Sequence, residues 1–137
     1  MRPARRAGNL VLPMIDLRHV SRVYPSPAGE VHALRDLTLQ IAPAEFVAVT
    51  GPSGCGKSTL LNLLGGLDQP TSGEIHVDGL ALHGADDAAL TAYRRERLGI
   101  VFQFFNLLPA MTAIENAELP LLLGGEKARE ARARAAE

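Results

Sequence analysis

The order of apolar and polar residues divides the chain into an alternating part and a part with continuous apolar runs. Positions 15–24 alternate in part, "PSPAGE" supplies turn residues, and positions 37–41 alternate cleanly. Such alternation is typical of antiparallel strands with one face in water. The runs "EFVAVTG" (45–51) and "LGIVF" (98–102) are almost unbroken, which is typical of strands buried on both faces of a sheet. The pattern predicts an antiparallel hairpin or meander followed by two buried strands.

Leucines with helical spacing follow the apolar run at 45–51. Leucines at i, i+3, i+4 and i+7 predict a helix over about 58–65 that packs a leucine stripe on the sheet. "EIHVDGL" predicts a short strand, and "DDAALTAYRRERL" predicts a helix whose first N–H groups are capped by Asp86 or Asp87. The leucines of the stripe are Leu60, Leu63, Leu64 and Leu67.

Two helices are predicted near the end of the sequence. Thr112 and Glu115 have the spacing of a capping box, which predicts a helix through "AIENAEL". Pro120 is expected to limit or kink this helix. The alanine-rich "EKAREARARAAE", with Glu130 four residues before Arg134, predicts the last helix.

Composition restricts the class of protein. The length of 137 residues sets a ceiling of one domain, and 47% hydrophobic residues are typical of a globular core. The net charge of −1 argues against nucleic acid as a partner. One cysteine cannot form an internal disulfide, and no run reaches the roughly 18 apolar residues that span a bilayer. We therefore expect a cytoplasmic protein whose membrane role, if it has one, depends on attachment to another subunit.

The first thirteen residues, "MRPARRAGNLVLP", are rich in arginine and proline and have no periodicity. They are predicted to form a disordered basic tail, or to precede a true start at Met14. The alternative is an arm that touches acidic lipid headgroups.

The segment "GPSGCGKST" (51–59) carries the most specific chemistry in the chain, because it matches the phosphate-binding pattern G-x-x-x-x-G-K-[ST]. Glycines let the backbone approach a ligand, so that successive N–H groups and the start of the following helix can bind phosphate oxygens. Lys57 adds a charge for the β and γ phosphates, and the Ser58 hydroxyl suits Mg²⁺. A glycine-rich turn without a ligand is the alternative. The predicted nucleotide-binding residues are Gly51, Pro52, Ser53, Gly54, Cys55, Gly56, Lys57, Ser58 and Thr59.

Cys55 and the histidines are weaker candidates for chemistry. A helix N-terminus lowers a thiol pKa, so Cys55 could be reactive, but its position favours a small residue whose backbone N–H binds phosphate. The four histidines lack metal-ligand spacing and are assigned no role. They are His19, His32, His76 and His83.

Two blocks together resemble one family. "GPSGCGKSTLLNLLGGLDQPTSGEI" and, further on, "VFQFFNLLPAMTAIENAELPLLL" are similar to the nucleotide-binding subunit of ABC transporters, in the branch of the macrolide-exporter and lipoprotein-release ATPases. The resemblance implies an α/β fold, with a P-loop NTPase (RecA-like) core and an N-terminal antiparallel β subdomain, truncated in the helical subdomain. It divides the chain into an antiparallel region (14–44), a core from the P-loop to the Q-loop (45–103) and the start of the helical subdomain (104–137).

The resemblance also implies roles for residues outside the loop. Tyr24 falls where the family has an aromatic that stacks on adenine, although a strand-edge aromatic is the alternative. Gln103 matches the glutamine that reaches the metal and the attacking water, and it could otherwise be a polar residue at a strand end. The implied cofactors are ATP and Mg²⁺, the latter held by Ser58 and Gln103, with Lys57 and Gln103 serving catalysis. The apolar residues after Gln103 would form a groove for a permease helix, and they are Phe104, Phe105, Leu107 and Leu108.

The family pattern is not complete in these 137 residues. The LSGGQ signature, the apolar Walker B strand ending in Asp-Glu and the switch histidine are not found. The resemblance implies that the complete protein is a homodimeric ATPase attached to a membrane permease at the inner face of the cell membrane. We expect the present chain to bind ATP but hardly to hydrolyse it, and to expose unpaired edges at 45–49 and 98–102 that make it poorly soluble.

Two other functions remain open from the sequence. The chain could be a short form that binds ATP without turnover. It could also belong to another P-loop class, such as a GTPase or a small-molecule kinase, although N-K-x-D and D-x-x-G motifs are absent.

Overall fold

The computed structural model describes residues 13–102 and 104–137. Residues 1–12 of the predicted tail and the predicted site residue Gln103 therefore lie outside the described residues. The described residues form four strands and four helices. The chain divides into two compact units between Leu90 and Thr91, within the helix Asp87–Arg97. In chain order the elements are β1 (Ile15–Ser26), β2 (Gly29–Ile41), α1 (Lys57–Leu64), β3 (Ser72–Val77), β4 (Leu80–Ala81), α2 (Asp87–Arg97), α3 (Ala113–Leu123) and α4 (Ala128–Ala135).

One antiparallel sheet, with strand order β2-β1-β3-β4, organises the first unit. β1 and β2 form a hairpin whose pairing ends at Ser26 and Gly29, so only two residues make the turn. The predicted antiparallel hairpin is confirmed. Further along the hairpin the register shifts, and His19 and Asp36 both have positive φ and pair through their side chains, Nδ1 to Oδ1, at 2.8 Å.

The core of the first unit lies where α1 contacts the sheet. Leu60 and Leu63 of α1 are buried, which confirms the predicted stripe at these positions. Leu67 is 55% exposed, so the prediction is wrong there: the helix ends at Leu64, and the following Gly66 has a φ of +60° that turns the chain away. The buried sheet residues around the core are Leu17, Val20, Ile75 and Val77.

The two apolar runs do not form strands. Residues 45–50 and 98–102 have no strand assignment, and Phe46 and Val101 are 95% and 100% exposed. The prediction of buried strands is therefore wrong in this structure, because a strand needs a hydrogen-bonded neighbour and neither run pairs with another strand among the described residues. The expected unpaired strand edges are not formed either, because neither run is a strand, and low solubility stays a prediction.

The helix starts follow the predicted local signals. The backbone N–H of Ala89 donates to Asp86 Oδ1 at 2.8 Å, so Asp86 caps α2. At α3 both bonds of the capping box are present: Thr112 N–H donates to Glu115 Oε2 at 2.7 Å, and Glu115 N–H donates to Thr112 Oγ1 at 3.4 Å. Pro120 does not end α3, which continues to Leu123.

Replacing Thr112 with alanine is expected to reduce the free energy of unfolding by about 0.5–2 kcal/mol, because the first turn of α3 loses its side-chain acceptor. Urea unfolding followed by circular dichroism measures this change. Thr112→Ser keeps the hydroxyl and should stay near the wild type. An equal loss in the serine and alanine variants would contradict the capping role.

Candidate functional site

The glycine-rich loop lies between residue 50 and α1 and has a backbone that favours glycine at three positions. φ is +151° at Gly51, +80° at Gly54 and +95° at Gly56, a region that other residues rarely adopt. α1 begins directly after the loop at Lys57, and Gly56 at the N-cap offers no side chain to bond the first amides. The positive end of the helix is therefore directed to the loop, which favours an anion there.

Gly56 also lets the loop approach the hairpin closely. A Cβ at this position would lie 2.4 Å from the carbonyl oxygen of Ala33 and 3.1 Å from Leu34 Cδ2. Any larger residue would push the loop away from β2. The glycine thus fixes how near the loop and the hairpin can be.

Lys57 folds back over the loop. Its Nζ donates to the carbonyl oxygens of Gly51 at 2.9 Å and Pro52 at 2.8 Å, and it lies 3.6 Å from Cys55 Sγ. The ammonium group is therefore held where an anion bound by the loop would meet it. Phosphate oxygens are stronger partners for an ammonium than neutral carbonyls are, so a bound phosphate could replace these bonds.

A cleft of about 480 Å³ opens between the loop and β2. This volume lies within the range of roughly 300–1,000 Å³ that is usual for small-molecule sites. The loop residues that line it were predicted from the motif: Ser53, Gly54, Gly56, Lys57, Ser58 and Thr59. Of the other predicted loop residues, Gly51 and Pro52 bond Lys57, and Cys55 is exposed.

Sequence reasoning missed the wall of the cleft that β2 supplies. Val31, His32 and Ala33 line the cleft, and assigning no role to His32 overlooked its place there. The available signal was the hairpin turn, since a two-residue turn fixes the register that sets Val31 opposite Tyr24. What the register cannot predict is which hairpin residues the loop approaches.

The donor set around the loop fits a metal ion that arrives with a phosphate ligand. Ser58 is exposed and lines the cleft. In residues 13–102 and 104–137, no group of three or more His, Cys, Asp and Glu side chains could hold a metal. A Mg²⁺ at Ser58 would therefore take most of its oxygens from phosphate and water, as this ion commonly does.

Tyr24 belongs to a cluster of three side chains next to the hairpin turn. Its hydroxyl donates to Asp68 Oδ2 at 2.6 Å. Arg22 binds both oxygens of the same carboxylate, with Nε 2.9 Å from Oδ2 and a terminal nitrogen 2.7 Å from Oδ1. The guanidinium carbon also lies 4.4 Å from the centre of the Tyr24 ring, so Arg22 stacks on one face of the aromatic.

This cluster lowers the pKa of the Asp68 carboxyl below the usual value of an aspartate. Partial burial opposes the charge, but the Tyr24 hydroxyl, the Gln69 backbone N–H and Arg22 outweigh it and hold the pKa of Asp68 below 3.8. A folded-state pKa below the unfolded one stabilises the fold above the unfolded value and loses this effect as the pH falls through the folded value.

We therefore expect the difference in unfolding free energy between the wild type and Asp68→Asn to be constant above a pH of about 5 and to shrink at lower pH. Urea unfolding of both proteins from pH 7 downward measures it. A difference that does not change with pH would show that the carboxylate charge contributes nothing to stability.

The second unit contains an exposed apolar segment whose last residue is held by one amide side chain. Asn116 of α3 accepts a hydrogen bond from Leu108 N–H at 2.7 Å and donates to the carbonyl oxygens of Leu108, Met111 and Thr112. These bonds hold the backbone from Leu108 to the start of α3, and the apolar side chains before it are exposed. The exposed fractions are 80% for Phe104, 81% for Phe105, 62% for Leu107 and 47% for Leu108.

The sequence profile of the family described as ABC transporter matches residues 34–137. The chain belongs to the ABC transporter family. It is 46% identical to an uncharacterized ABC transporter ATP-binding protein of Methanocaldococcus jannaschii, MJ0796, over 90% of this chain and 54% of that protein. It is 45% identical to the lipoprotein-releasing system ATP-binding protein LolD of Maricaulis maris, with the same two coverages. With the macrolide export ATP-binding/permease protein MacB of Rhodopseudomonas palustris the identity is 46% over 90% of this chain, but over 19% of that protein.

The fold agrees with that of an ABC transporter cassette. The dimeric structure of MJ0796 in a post-hydrolysis state, bound to ADP and Pi, superimposes with a TM-score of 0.84 at 44% identity, covering 90% of this chain and 54% of the cassette. This likeness confirms the predicted α/β fold class. The chain spans about half the length of MJ0796 and LolD. None of the helices in the described part of the chain is long and apolar enough to cross a membrane.

Proposed function

We propose that this ABC transporter chain binds Mg-ATP in the cleft between the glycine-rich loop and β2. The observation that carries the proposal is the position of Lys57, which faces into the loop at the start of α1 and lines a cleft of about 480 Å³. The loop amides and the helix N-terminus would bind the phosphates, Lys57 the β and γ phosphates, and the Ser58 hydroxyl the Mg²⁺.

Tyr24 would stack on the adenine. The hairpin register supports this role, because Tyr24 is paired with Val31, and Val31 lines the cleft. Side chains of directly opposite residues stand on the same face of a sheet, so the Tyr24 ring shares a face with the side chain of Val31. For Gln103, outside the described residues, the proposed contacts with the metal and the attacking water rest on the family resemblance alone.

The complete protein would be a homodimeric ATPase that drives a membrane permease, of the export or lipoprotein-release type. The relatives support this: LolD is named as part of a lipoprotein-releasing system, MacB as an export protein, and the MJ0796 cassette is dimeric. The exposed apolar segment at 104–108 is suited to contact a permease helix, which would hold the subunit at the inner face of the membrane. Hydrolysis would need the signature, Walker B and switch-histidine motifs, which these 137 residues do not contain.

Isothermal titration calorimetry with ATP and with inorganic tripolyphosphate, each with and without Mg²⁺, tests the proposed function. We expect both ligands to bind, ATP more tightly because only ATP has a base. Failure of both ligands to bind would overturn the proposal.

A steady-state ATPase assay on the same chain separates binding from turnover. We expect no hydrolysis above background. A short form that binds ATP without turnover would give the same result. Turnover that is abolished by Lys57→Ala would contradict this expectation and exclude a chain that only binds.

A further inference from the structure

We propose that Asp68 and Arg22 are positioning residues that fix the ring of Tyr24 for stacking on the base of the nucleotide. The inference rests on the proposed function, because it needs ATP to bind beside Tyr24. It adds a new element to the site: a carboxylate and a guanidinium that need not touch the ligand and that would set its affinity through the aromatic ring.

The position of Tyr24 in the hairpin explains why its ring needs support. Tyr24 pairs with Val31, two residue pairs before Ser26 and Gly29, the last pair before the turn. The Tyr24 side chain is only half-buried. An aromatic near the end of a hairpin, without packing on all sides, can occupy several rotamers. A ligand that stacks on it would then have to order the ring as well as bind it.

The Asp68 carboxylate supplies the missing constraint. It lies in the segment that follows α1, 44 residues from Tyr24 along the chain, and its Oδ2 accepts the Tyr24 hydroxyl at 2.6 Å. Its own orientation is fixed by four hydrogen bonds or ion-pair contacts in total, from Tyr24, from two nitrogens of Arg22 and from the backbone N–H of Gln69 at 2.8 Å. The hydroxyl end of the ring is therefore anchored to a rigid acceptor.

Arg22 constrains the ring in a second way. Its guanidinium carbon is 4.4 Å from the ring centroid, so it covers one face. An adenine base can then stack only on the opposite face. The same guanidinium holds Asp68, and these two residues thus constrain both the tilt of the ring and the face on which a base could stack.

A simpler explanation is that the cluster only joins β1 to the segment after α1 and contributes to stability. The two explanations differ in what they predict for ligands with and without a base. A structural defect would alter the loop and weaken ATP and tripolyphosphate together. Loss of ring positioning would weaken ATP alone, since tripolyphosphate has no base that could stack on Tyr24.

The test measures the dissociation constants of Mg-ATP and Mg-tripolyphosphate for the full chain and its variants by calorimetry. Asp68→Ala and Arg22→Gln are expected to weaken ATP roughly twofold to tenfold, the usual effect of ordering one side chain, and to leave tripolyphosphate unchanged. In a Tyr24→Ala background, Asp68→Ala should have no further effect on ATP. Asp68→Asn and Tyr24→Phe are milder changes that keep the proposal testable if the other variants do not fold.

The Asp16–Arg18 pair provides a matched control on the same strand. Arg18 Nε donates to Asp16 Oδ2 at 2.9 Å, as Arg22 does to Asp68, but this pair does not include an aromatic ring. Asp16→Asn should therefore leave the ratio of the two affinities unchanged.

Equal weakening of both ligands, or unchanged ATP affinity in well-folded Asp68 variants, would overturn the inference while leaving the proposed function intact. A wild type that binds neither ligand would instead overturn the proposed function itself.

Discussion

Replacing Lys57 with alanine is expected to weaken Mg-ATP binding by roughly tenfold to a hundredfold, which corresponds to the loss of a charged hydrogen bond. Lys57 is the side-chain cation that faces into the glycine-rich loop, with its Nζ 2.9 Å and 2.8 Å from two loop carbonyl oxygens. Calorimetric titration of the wild type and the variant measures the change.

Stability should hardly change in the same variant. The carbonyls that Lys57 releases belong to Gly51 and Pro52, which are exposed and can bond water instead. Equal unfolding midpoints in urea would therefore show that the loss of affinity comes from the missing charge and not from unfolding.

Lys127 gives a matched control, because it is the other lysine of the chain and is exposed at the N-cap of α4. Lys127→Ala removes the same charge from the second compact unit and should leave ATP affinity at the wild-type value. If both variants lost affinity equally, the effect would be one of overall charge, and the proposed phosphate site would be contradicted.

Replacing Gly56 with alanine is expected to reduce both stability and ATP binding. The residue has a φ of +95°, and the added Cβ would lie 2.4 Å from the carbonyl oxygen of Ala33, so either the loop or β2 must move. We expect the free energy of unfolding to fall by about 1–3 kcal/mol, the usual cost of a strained residue. Because the loop then moves from its place beside β2, the cleft changes shape and Mg-ATP should bind at least roughly tenfold more weakly, a change of about 1.4 kcal/mol.

Gly79→Ala separates backbone strain from the steric clash. Gly79 has a φ of +75°, but a Cβ there would meet no atom within 4 Å. It follows β3 and is not among the described residues that line the cleft. This variant should lose some stability and no ATP affinity, whereas a Gly56→Ala protein with normal affinity would show that the close approach to Ala33 is not needed for binding.

Local sequence signals predicted much of the fold correctly. The hairpin, α1 and the capping box of α3 each depend on residues close together in the sequence, such as Thr112 and Glu115 three positions apart. Their hydrogen bonds close within one turn or one strand pair, so the pattern that predicts them contains both partners. The glycine-rich loop is of the same kind, since its glycines and Lys57 lie within a few residues.

Apolar runs were a poorer guide. "EFVAV" and "LGIVF" were predicted as buried strands, yet both are exposed and unpaired in the described structure. An apolar run indicates that a segment can be buried, but burial depends on which other segments cover it. The prediction that Leu67 packs on the sheet was wrong for a related reason. The helical spacing of leucines continues past the end of α1, but the backbone turns away there.

The sequence by itself determined the phosphate-binding loop, the helix that follows it and, through the family resemblance, the class of protein to which the chain belongs. Only the tertiary structure decided what surrounds that loop. The contact of Gly56 with Ala33, the cleft wall at Val31 and His32, and the bond from Tyr24 to Asp68 join segments that are far apart in the chain. Their positions depend on how α1 packs on the hairpin, and no spacing within either segment specifies that packing, because it results from the burial of side chains contributed by both.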